Sequence, residues 1–568
     1  MPNRISLRTI YTKFNPKICA SFLGALYGLF VIGPLNALPS HRAWLNRGDL
    51  ASLQLGWEFF RQSPVAQWPL TAVPNYGAGF RTVLTTGNAL IELPLKFLSP
   101  ILPTSFQYVG MWIIACFALQ GFFAVRLLSN FIQDPISQFI GSILFISAPT
   151  LLFRIAIAGH PILGAHWLIL WALHLYFSKS KSANTWSILV CVALMINIYI
   201  AVMVSIIYFS SLVRLKIDPA LKNEEVQLAK LILKPITTLI VTFVAMGFLE
   251  YGGSTLGTGF FQMNLLAFVK PGFTVNNSFS FIGDQINVFG LQDLLSSEGE
   301  GFQYLGLGVV LGFSALVLRV YKIRKSPNWV QYMPIIAACV FLFLVALSNR
   351  VIVAQREFVY PLPEFLLNLR QSFRAATRFA WPAYYVTITF VVVSISKVSK
   401  IRKRNLVFLM LFAVINVVDQ APGMAYAHQQ IVSQSAYISP LVDPTWKVLG
   451  QRYKQINVYP NFDLQVGGGS VDEEFWNTRW FYFAQFAVDN HLSTGFGYFS
   501  RPITQYLGES NSKMLSDLEI GSPMPDTIYI ISNKAFWENA KCFLENPGDA
   551  LVIDGYFVIL GPRSGERG

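Results

Sequence analysis

Long apolar segments alternate with short polar ones along the first 420 residues of this chain. Many of them approach the ~20 residues that an α-helix needs to cross a bilayer. They cover residues 19–38, 107–128, 136–152, 163–178, 232–249, 303–321, 330–347, 378–397 and 405–420. The pattern therefore predicts an α-helical polytopic membrane protein.

The longest apolar run, at residues 186–213, has basic residues at both ends. Two lysines precede it, and Arg214 and Lys216 follow it. Because Lys and Arg favour the cytoplasmic side of a membrane, both ends are predicted to lie inside, which a single span cannot satisfy. We therefore predict two short helices that turn near residues 197–199, giving about eleven transmembrane helices in total.

Charge also predicts the orientation of the chain. The first seventeen residues carry four basic residues and no acid, so the N-terminus is predicted to lie in the cytoplasm. The first apolar run ends without a signal-peptide cleavage pattern, and we interpret it as a retained span. The long loops at 39–106, 250–302 and 348–377 would then lie outside the cytoplasmic (inner) membrane.

The hydrophobic pattern changes after residue 420. Short strand-like segments at 455–459, 527–531 and 550–560 alternate with helix-like segments at 472–490 and 534–545. This alternation predicts a small extracytoplasmic α/β domain. We therefore predict a transmembrane domain at 1–420 and a second domain at 421–568.

Composition agrees with a membrane location, because 53% of the residues are hydrophobic, 13% are charged and the mean hydropathy is +0.47. The net charge of +13 would suggest nucleic acid as a partner of a soluble protein. Here much of that charge flanks predicted spans, so we predict membrane lipids and no nucleic acid as partners. Four of the five cysteines fall in apolar runs, which leaves Cys542 alone and argues against disulfides.

The first outer loop begins with an acidic residue, Asp49, followed by a predicted amphipathic helix. The apolar residues of this helix recur at helical spacing: Leu50, Leu53, Trp57 and Phe60. We expect the helix to lie along the membrane surface, and a second amphipathic stretch is predicted at 88–98. A carboxylate at this boundary can serve as a general base for a hydroxyl group, or it can cap the helix, and both interpretations stay open.

Two further groups of charged residues fall in outer loops. Glu298 and Glu300 precede the span at 303–321 and could hold a metal or an acceptor, or form a solvated turn. Arg370, Arg374 and Arg378 are four residues apart, so in a helix they would form one cationic stripe. Arginines on the outer face run against the usual charge distribution, which favours a phosphate site over simple anchoring.

His160 lies in a short outer loop at 154–164 and is a candidate for lining a polar site. His166 and His174 follow, but their spacing does not match a zinc site. The sequence contains no phosphate-binding glycine loop, cysteine cluster or hydrolase elbow. A nucleotide-dependent or hydrolytic function therefore has no supporting motif.

A cytoplasmic N-terminus, an acidic residue early in a long first outer loop, two amphipathic helices in that loop, many spans and an extracytoplasmic C-terminal domain together resemble the GT-C superfamily of integral-membrane glycosyltransferases. Within it, several local motifs look like those of an uncharacterised bacterial branch. The motifs are Gly48-Asp49, Gly56-Trp57-Glu58-Phe59-Phe60-Arg61, Pro74-Asn75-Tyr76-Gly77, Gly299-Glu300-Gly301-Phe302-Gln303-Tyr304-Leu305-Gly306 and Arg378-Phe379-Ala380-Trp381-Pro382. The resemblance covers nearly the whole chain. It implies a GT-C-like helical fold with a lipid-linked substrate.

In such enzymes the acidic residue of the first loop is catalytic, a role that the resemblance assigns to Asp49. It also implies a sugar donor linked to polyprenyl phosphate and an inverting transfer to a glycan, lipid or protein acceptor. The candidate substrate-binding residues are Glu58, Asn75, Tyr76, His160, Glu298, Glu300, Arg370, Arg374 and Arg378. No cofactor is required, and a divalent metal is left open, because the family often has paired acids where this chain has Asp49 followed by Leu50.

Two alternatives belong to other classes: a transporter or flippase of lipid-linked saccharides, and a non-catalytic protein of envelope assembly. Ion-coupled transporters usually place ionisable groups near the middle of the membrane. Here the spans are almost free of charge, and Arg126, Arg154 and Arg319 lie near predicted span ends. This distribution favours chemistry at the membrane surface.

Overall fold

The structure is a computed structural model. It describes residues 14–46, 48–77, 80–81, 87–218, 227–250, 263–274, 277–281, 299–320, 329–353, 356–364, 373, 375–433, 438–460, 473–497 and 504–564. Most of these residues are helical. The α-helices, in chain order, are α1 (Pro16–Ile32), α2 (Gly48–Gln62), α3 (Ala89–Leu98), α4 (Val109–Leu128), α5 (Pro135–Ile146), α6 (Pro149–Leu152), α7 (Trp167–Phe177), α8 (Ala183–Ile196), α9 (Ile198–Ile217), α10 (Leu228–Ala245), α11 (Leu307–Val320), α12 (Met333–Leu347), α13 (Trp381–Ser396), α14 (Arg402–Asp419), α15 (Ala421–Val432), α16 (Pro444–Arg452), α17 (Glu473–Asp489), α18 (Thr504–Glu519) and α19 (Lys534–Lys541).

The strands are short. They are β1 (Ala72–Val73), β2 (Phe80–Arg81), β3 (Gly272–Thr274), β4 (Asn277–Ser278), β5 (Arg350–Val353), β6 (Arg356–Val359), β7 (Gln455–Tyr459), β8 (Ser493–Thr494), β9 (Thr527–Ile531), β10 (Ala550–Ile553) and β11 (Tyr556–Leu560). A π-helix at Phe153–Ile157 and several 3-10 helices, including Pro161–Gly164, Gly299–Gly301 and Ala376–Ala380, complete the description.

The chain forms two compact units. Unit one comprises Met1–His41, Gln107–Ile240 and Thr258–Gln434. Unit two comprises Arg42–Phe106, Val241–Gly257 and Ser435–Gly568. The first predicted outer loop therefore belongs to the same unit as the C-terminal sheet.

Each apolar run that was predicted to span a membrane contains a helix. Among the described residues, four helices are long and apolar enough to cross a bilayer, and two bent pairs raise this number to six at most. The four are Val109–Leu128, Ile198–Ile217, Leu228–Ala245 and Ala376–Ser396, and the pairs are Pro135–Ile146 with Pro149–Ile157 and Arg402–Asp419 with Ala421–Val432. A mostly helical membrane protein is thus confirmed. The predicted eleven spans are not confirmed, because the remaining apolar helices are shorter.

The apolar run at 186–213 is two helices, as predicted. Helix α8 ends at Ile196, Asn197 has an extended backbone, and α9 begins at Ile198. The Asn197 side chain accepts a hydrogen bond from the Tyr199 amide at 2.9 Å, which caps α9. Helices α8 and α9 pack against each other in unit one.

Helices α1 and α4 of unit one approach each other closely at glycines. A Cβ atom on Gly24 would lie 2.1 Å from the Phe117 carbonyl oxygen, and one on Gly121 would lie 2.2 Å from the Ala20 carbonyl oxygen. Only glycine fits at such distances, so the two backbones are in direct contact. Small residues play this role at helix contacts inside membranes, where apolar burial gives little driving force.

In unit two, the one-sided burial predicted for the Asp49 helix is wrong. Every residue of α2 from Leu50 to Phe60 is buried, including the polar Ser52, Gln54 and Glu58. The helix therefore presents no polar face to solvent along this stretch. The periodicity of its large apolar residues indicated the helix correctly, but buried Glu58 has a partner, Gln485, that lies 427 residues away in the sequence.

The second predicted amphipathic stretch is helix α3, which is confirmed as a helix but buries its polar side. Glu92 is fully buried and Lys96 is 3% exposed, whereas Phe97 is 66% exposed. The Lys96 ammonium group donates to Ser63 Oγ at 2.7 Å and lies 4.0 Å above the Phe60 ring. Burial lowers the pKa of Lys96 to about 8.

The C-terminal part of unit two contains a five-stranded mixed sheet in the order β10-β11-β9-β7-β8. Strand β7 pairs in parallel with β8 and β9, whereas β11 pairs antiparallel with β9 and β10. Tyr529 and Ile559 of the sheet pack with Leu518 of α18 and Trp537 of α19 in one apolar core. The predicted small α/β region is confirmed.

The predicted strand at 550–560 is a hairpin. Strands β10 and β11 are joined by Asp554 and Gly555, whose φ angles are 50° and 79°. Two positive φ angles in an Asp-Gly pair are typical of a type I′ turn, whose twist matches that of the flanking strands. The Asp-Gly pair was the sequence signal for the turn.

Candidate functional site

Glu300 lies in unit one, in the 3-10 helix Gly299–Gly301 shortly before α11. Gly299 has a φ of 58°, a conformation that glycine adopts without strain. The turn directs Glu300 into the unit, where the residue is 8% exposed. The solvated turn considered for this motif is therefore wrong at Glu300.

Arg378 holds the Glu300 carboxylate with two hydrogen bonds. Its Nε donates to Oε2 at 2.9 Å, and its Nη2 donates to Oε1 at 2.6 Å. This bidentate arrangement matches the planar guanidinium to the planar carboxylate. Arg378 belongs to the 3-10 helix Ala376–Ala380, just before α13, and its guanidinium lies 4.8 Å from the centre of the Tyr199 ring.

A second arginine, Arg154, binds the same glutamate from another part of the chain. Its Nη1 lies 2.6 Å from Oε2 of Glu300, and its Nη2 donates to the Glu300 carbonyl oxygen at 2.6 Å. Arg154 is fully buried and lies in the π-helix Phe153–Ile157. Single turns of π-helix occur frequently at functional sites. Glu300 is thus bound by two guanidinium groups.

Neutral groups complete this arrangement. Thr377 Oγ1 donates to the Glu300 carbonyl oxygen at 2.6 Å, and Gln303 Nε2 donates to the Thr377 carbonyl oxygen at 3.1 Å. The Tyr199 hydroxyl accepts a hydrogen bond from the Ala375 amide at 3.1 Å. We call Glu300, Arg154, Arg378, Thr377 and Tyr199 the Glu300 cluster.

His160 lies at the edge of the Glu300 cluster. Its Nδ1 is 3.7 Å from Oε1 of Glu300, a distance too long for a direct hydrogen bond. Its backbone amide donates to the Arg154 carbonyl oxygen at 2.9 Å, which keeps it next to that arginine. The structure thus brings together three of the sequence-predicted site residues, namely His160, Glu300 and Arg378.

The charged groups of the Glu300 cluster that the structure describes are two guanidinium groups and one carboxylate. Burial alone would raise the pKa of Glu300, but Arg154 and Arg378 outweigh this effect and hold the pKa well below its usual range. Glu300 is therefore ionised at neutral pH and is unsuited to act as a base. The cluster is therefore a candidate for binding an anion through its two arginines.

In unit two, Asp49 is the second residue of α2, because the helix begins at Gly48. It therefore lies in the first turn, rather than at the capping position before it. An acidic residue in the first turn interacts favourably with the helix dipole. Asp49 is half-buried.

Glu58 of α2 is buried among polar side chains of unit two. Its Oε1 accepts from Arg42 Nη1 at 2.7 Å and from Gln54 Nε2 at 2.8 Å. Its Oε2 accepts from Gln485 Nε2 of α17 at 3.0 Å. We call Glu58, Arg42, Gln54 and Gln485 the Glu58 network. Because its carboxylate already has three donors, Glu58 serves in packing in this structure.

Asn75 and Tyr76 also have structural partners in unit two. Tyr76 is fully buried, and its ring stacks on that of Phe59 with 4.4 Å between the ring centres. The Asn75 carbonyl oxygen accepts a hydrogen bond from the Thr494 amide of β8 at 3.0 Å. The second contact joins the predicted first loop to the C-terminal sheet. A substrate role for either residue stays a prediction.

Three predicted site residues, Glu298, Arg370 and Arg374, lie outside the described residues. The predicted stripe of three arginines at helical spacing is therefore represented by Arg378 alone. Arg378 itself lies in a 3-10 helix rather than an α-helix.

A family model described as a domain of unknown function, DUF6311, matches residues 21–421, and the model of its C-terminal domain matches residues 445–561. The chain belongs to the DUF6311 family. No curated protein matches this member of the family significantly.

Among solved structures, this DUF6311 chain is similar to an archaeal oligosaccharyltransferase, AglB from Archaeoglobus fulgidus, in complex with an inhibitory peptide and a dolichol-phosphate. The sequences are 10% identical, the match covers 94% of this chain and 71% of the AglB chain, and the TM-score is 0.37. A similarity of this degree establishes neither a shared fold nor a shared activity.

The metal site suggested for the Glu298 and Glu300 motif does not fit the described part of this family member. Both carboxylate oxygens of Glu300 face guanidinium groups, which leaves no room for a cation. Within the residues that the structure describes, no group of three or more His, Cys, Asp and Glu side chains could hold a metal ion.

Arg154 and Gln485 were not among the predicted site residues. Arg154 follows the apolar run at 136–152 and was interpreted as a residue near a span end. A charged residue beside an apolar run is a functional candidate by default, and that signal pointed to Arg154. No local pattern marks Gln485, whose partner Glu58 is 427 residues away in the sequence.

Proposed function

We propose that this protein is a membrane glycosyltransferase of the GT-C type, which moves a sugar from a polyprenyl-phosphate-linked donor to an acceptor on the outer face of the cytoplasmic membrane. The observation that supports this most is the convergence of two guanidinium groups, those of Arg154 and Arg378, at one largely buried site. Guanidinium groups are well suited to bind phosphate. The sequence motifs around Glu300 and Arg378 add to this support through their resemblance.

In the proposed reaction, Asp49 accepts the proton of the acceptor hydroxyl. The hydroxyl oxygen attacks the anomeric carbon of the sugar, and the bond from that carbon to the phosphate oxygen breaks. Polyprenyl phosphate leaves with the bonding electrons, and its charge is compensated by the Glu300 cluster together with Arg370 and Arg374. Because phosphate is a good leaving group, positioning and one proton transfer are sufficient, with inversion at the sugar.

The finer features of the proposal concern topology. We place the N-terminus in the cytoplasm and residues 421–568 outside, with about eleven spans in the segment 1–420. The paired helices α8 and α9 suit this arrangement. Basic residues lie before the start of α8 and in the last turn of α9, and such residues favour the cytoplasmic side of a membrane. Asn75, Tyr76, His160, Glu298 and Glu300 complete the proposed substrate-binding set, whereas Glu58 has a packing role in unit two.

The replacement Asp49→Asn tests the mechanism. Asparagine keeps the size of the side chain and removes its basic oxygen, so we expect a folded protein whose transfer rate falls by at least ~100-fold. The measurement is radiolabel transfer from a panel of polyprenyl-phosphate hexoses and pentoses to membrane acceptors. Thermal unfolding in detergent reports on folding.

Asp443→Asn is the matched control, because Asp443 caps α16 by accepting a hydrogen bond from the Thr445 amide at 2.8 Å. This variant should transfer sugar normally. A folded Asp49→Asn protein with nearly full activity would refute Asp49 as the base. Movement of the labelled donor across proteoliposomes without any transfer would instead indicate a flippase.

A further inference from the structure

A pocket of about 420 Å³ opens in unit one, where α13 ends and α14 begins. The Glu300 cluster lies at the opposite end of α13, since Arg378 immediately precedes that helix. The pocket is therefore separate from the proposed reaction site. Its charged lining residues are Asp134, Lys397, Lys400 and Arg402.

The turn between α13 and α14 is held in a defined conformation. Buried Asn405 donates to the Ser396 and Ser399 carbonyl oxygens, both at 2.8 Å, and accepts from the Ser399 amide at 2.8 Å. The Asp134 side chain caps α5, and its Oδ1 also forms an ion pair with Arg402 Nη2 at 2.7 Å. The backbone that carries Lys397 and Lys400 is thus fixed at both ends of the turn.

The charges of the pocket do not balance. Arg402 is paired with Asp134, but the structure gives Lys397 and Lys400 no acidic partner among the described residues. Two exposed ammonium groups therefore remain at the rim of the pocket. This lining suits an anionic group such as a phosphate.

An apolar surface adjoins the pocket along α14. Val407, Leu411, Val414 and Val418 recur on one face of the helix and are 64%, 50%, 49% and 56% exposed. Ile401, beside the pocket, is 62% exposed. A free phosphate would use only the charged part of this surface, whereas a lipid would place its head group in the pocket and its chains along α14.

We propose that this pocket binds the phosphate head group of an anionic phospholipid, with the acyl chains lying on the exposed face of α14. Basic pockets at the ends of membrane helices suit such head groups, and each lysine adds to the attraction. The assignment is independent of the glycosyltransferase proposal, since it rests on other residues at the other end of α13.

The test uses the double variant Lys397→Ala with Lys400→Ala in the full-length protein. Native mass spectrometry in detergent would measure binding of phosphatidylglycerol, of phosphatidylcholine with the same chains, and of glycerol 3-phosphate. We expect wild type to prefer phosphatidylglycerol, and the double variant to bind it roughly 10- to 30-fold more weakly. Both lysines are exposed, so folding should be unchanged, and Lys400→Gln alone repeats the test should the double variant aggregate.

The matched control removes two other exposed lysines, Lys447 and Lys513, which lie in unit two. It changes the net charge equally and should leave lipid binding within about twofold. An equal loss in this control would overturn the proposal in favour of general surface charge. Glycerol 3-phosphate binding as tightly as phosphatidylglycerol would overturn the lipid assignment and indicate a site for free phosphate.

Discussion

Two buried glutamates, Glu300 in unit one and Glu58 in unit two, have different surroundings. Glu300 is bound by two guanidinium groups, those of Arg154 and Arg378. Glu58 is bound by one guanidinium and two neutral amides, and one of these amides, that of Gln485, also donates to the Asp489 carboxylate. Glu300 is thus held mainly by charged groups, and Glu58 mainly by neutral hydrogen-bond donors.

This difference separates structure from function more clearly than burial does. Both glutamates are almost completely buried, and burial alone would rank them equally. The neutral donors and the bond to α17 assign Glu58 to packing between α2 and α17, whereas two converging guanidinium groups make the Glu300 cluster the candidate anion site. Three replacements test whether the two glutamates differ in this way.

The largest effect is expected for Glu300→Gln. Two arginines would lose their shared counter-ion, and breaking a buried ion pair by removing one partner costs about 3 to 5 kcal/mol. The free energy of unfolding in detergent, from a denaturant titration, is the measurement. Glu538→Gln is the control, because Glu538 forms an exposed ion pair with Lys534 at 3.6 Å. This control should lower the free energy of unfolding by less than about 0.5 kcal/mol.

The same variant also has a pH signature. Because the folded pKa of Glu300 is lowered, its contribution is fully present above the unfolded pKa of about 4.3 and is lost as the pH falls through the folded value. The difference between wild type and Glu300→Gln should therefore persist at pH 5. A difference that disappears between pH 7 and pH 5 would contradict the lowered pKa.

An intermediate effect is expected for Glu58→Gln. The glutamine that replaces Glu58 has one acceptor oxygen and one NH2 group in place of two acceptor oxygens. Its NH2 group would face either the Gln485 donor or the donors of Arg42 and Gln54. Leaving a buried donor without an acceptor costs about 1 to 3 kcal/mol. The same denaturant titration measures this loss of unfolding free energy. A loss as large as that of Glu300→Gln would refute the distinction between the two networks.

The smallest effect is expected for Arg42→Gln. The Arg42 side chain is 27% exposed, so water can replace part of its contact with Glu58. Partly exposed ion pairs contribute up to about 1 kcal/mol, and Glu58 keeps its two amide donors. The measurement is the free energy of unfolding of wild type and Arg42→Gln at low and at high salt. A loss above that of Glu58→Gln would show that Arg42 has a further role.

Much of the fold followed from local pattern. Apolar runs located the helices, basic flanks indicated the break at Asn197, and alternation located the strands of the C-terminal sheet. The number of spans did not follow, because length and hydropathy cannot distinguish a crossing helix from a shorter one packed inside the protein. The burial of α2 did not follow either, since the partner that buried Glu58 meets on α17 lies 427 residues away.

The candidate site followed from sequence only in part. Glu300 and Arg378 were identified by motif and charge, but their mutual pairing across 78 residues was not. The stripe hypothesis treated the arginines as free for phosphate, whereas Arg378 is engaged with Glu300. Arg154 binds a residue 146 positions away, and such a contact leaves no periodic trace in the sequence.

The pairing of Glu58 with Gln485 also affects when the first loop can finish folding during translation. The two residues are 427 positions apart, and at about 5 to 20 residues per second the ribosome needs roughly 20 to 85 s to travel between them. During that interval α2 has been made, but α17, which completes its burial, has not. Newly made chains therefore carry an unfinished first loop until Gln485 has been made, and this is when we expect them to depend most on chaperones.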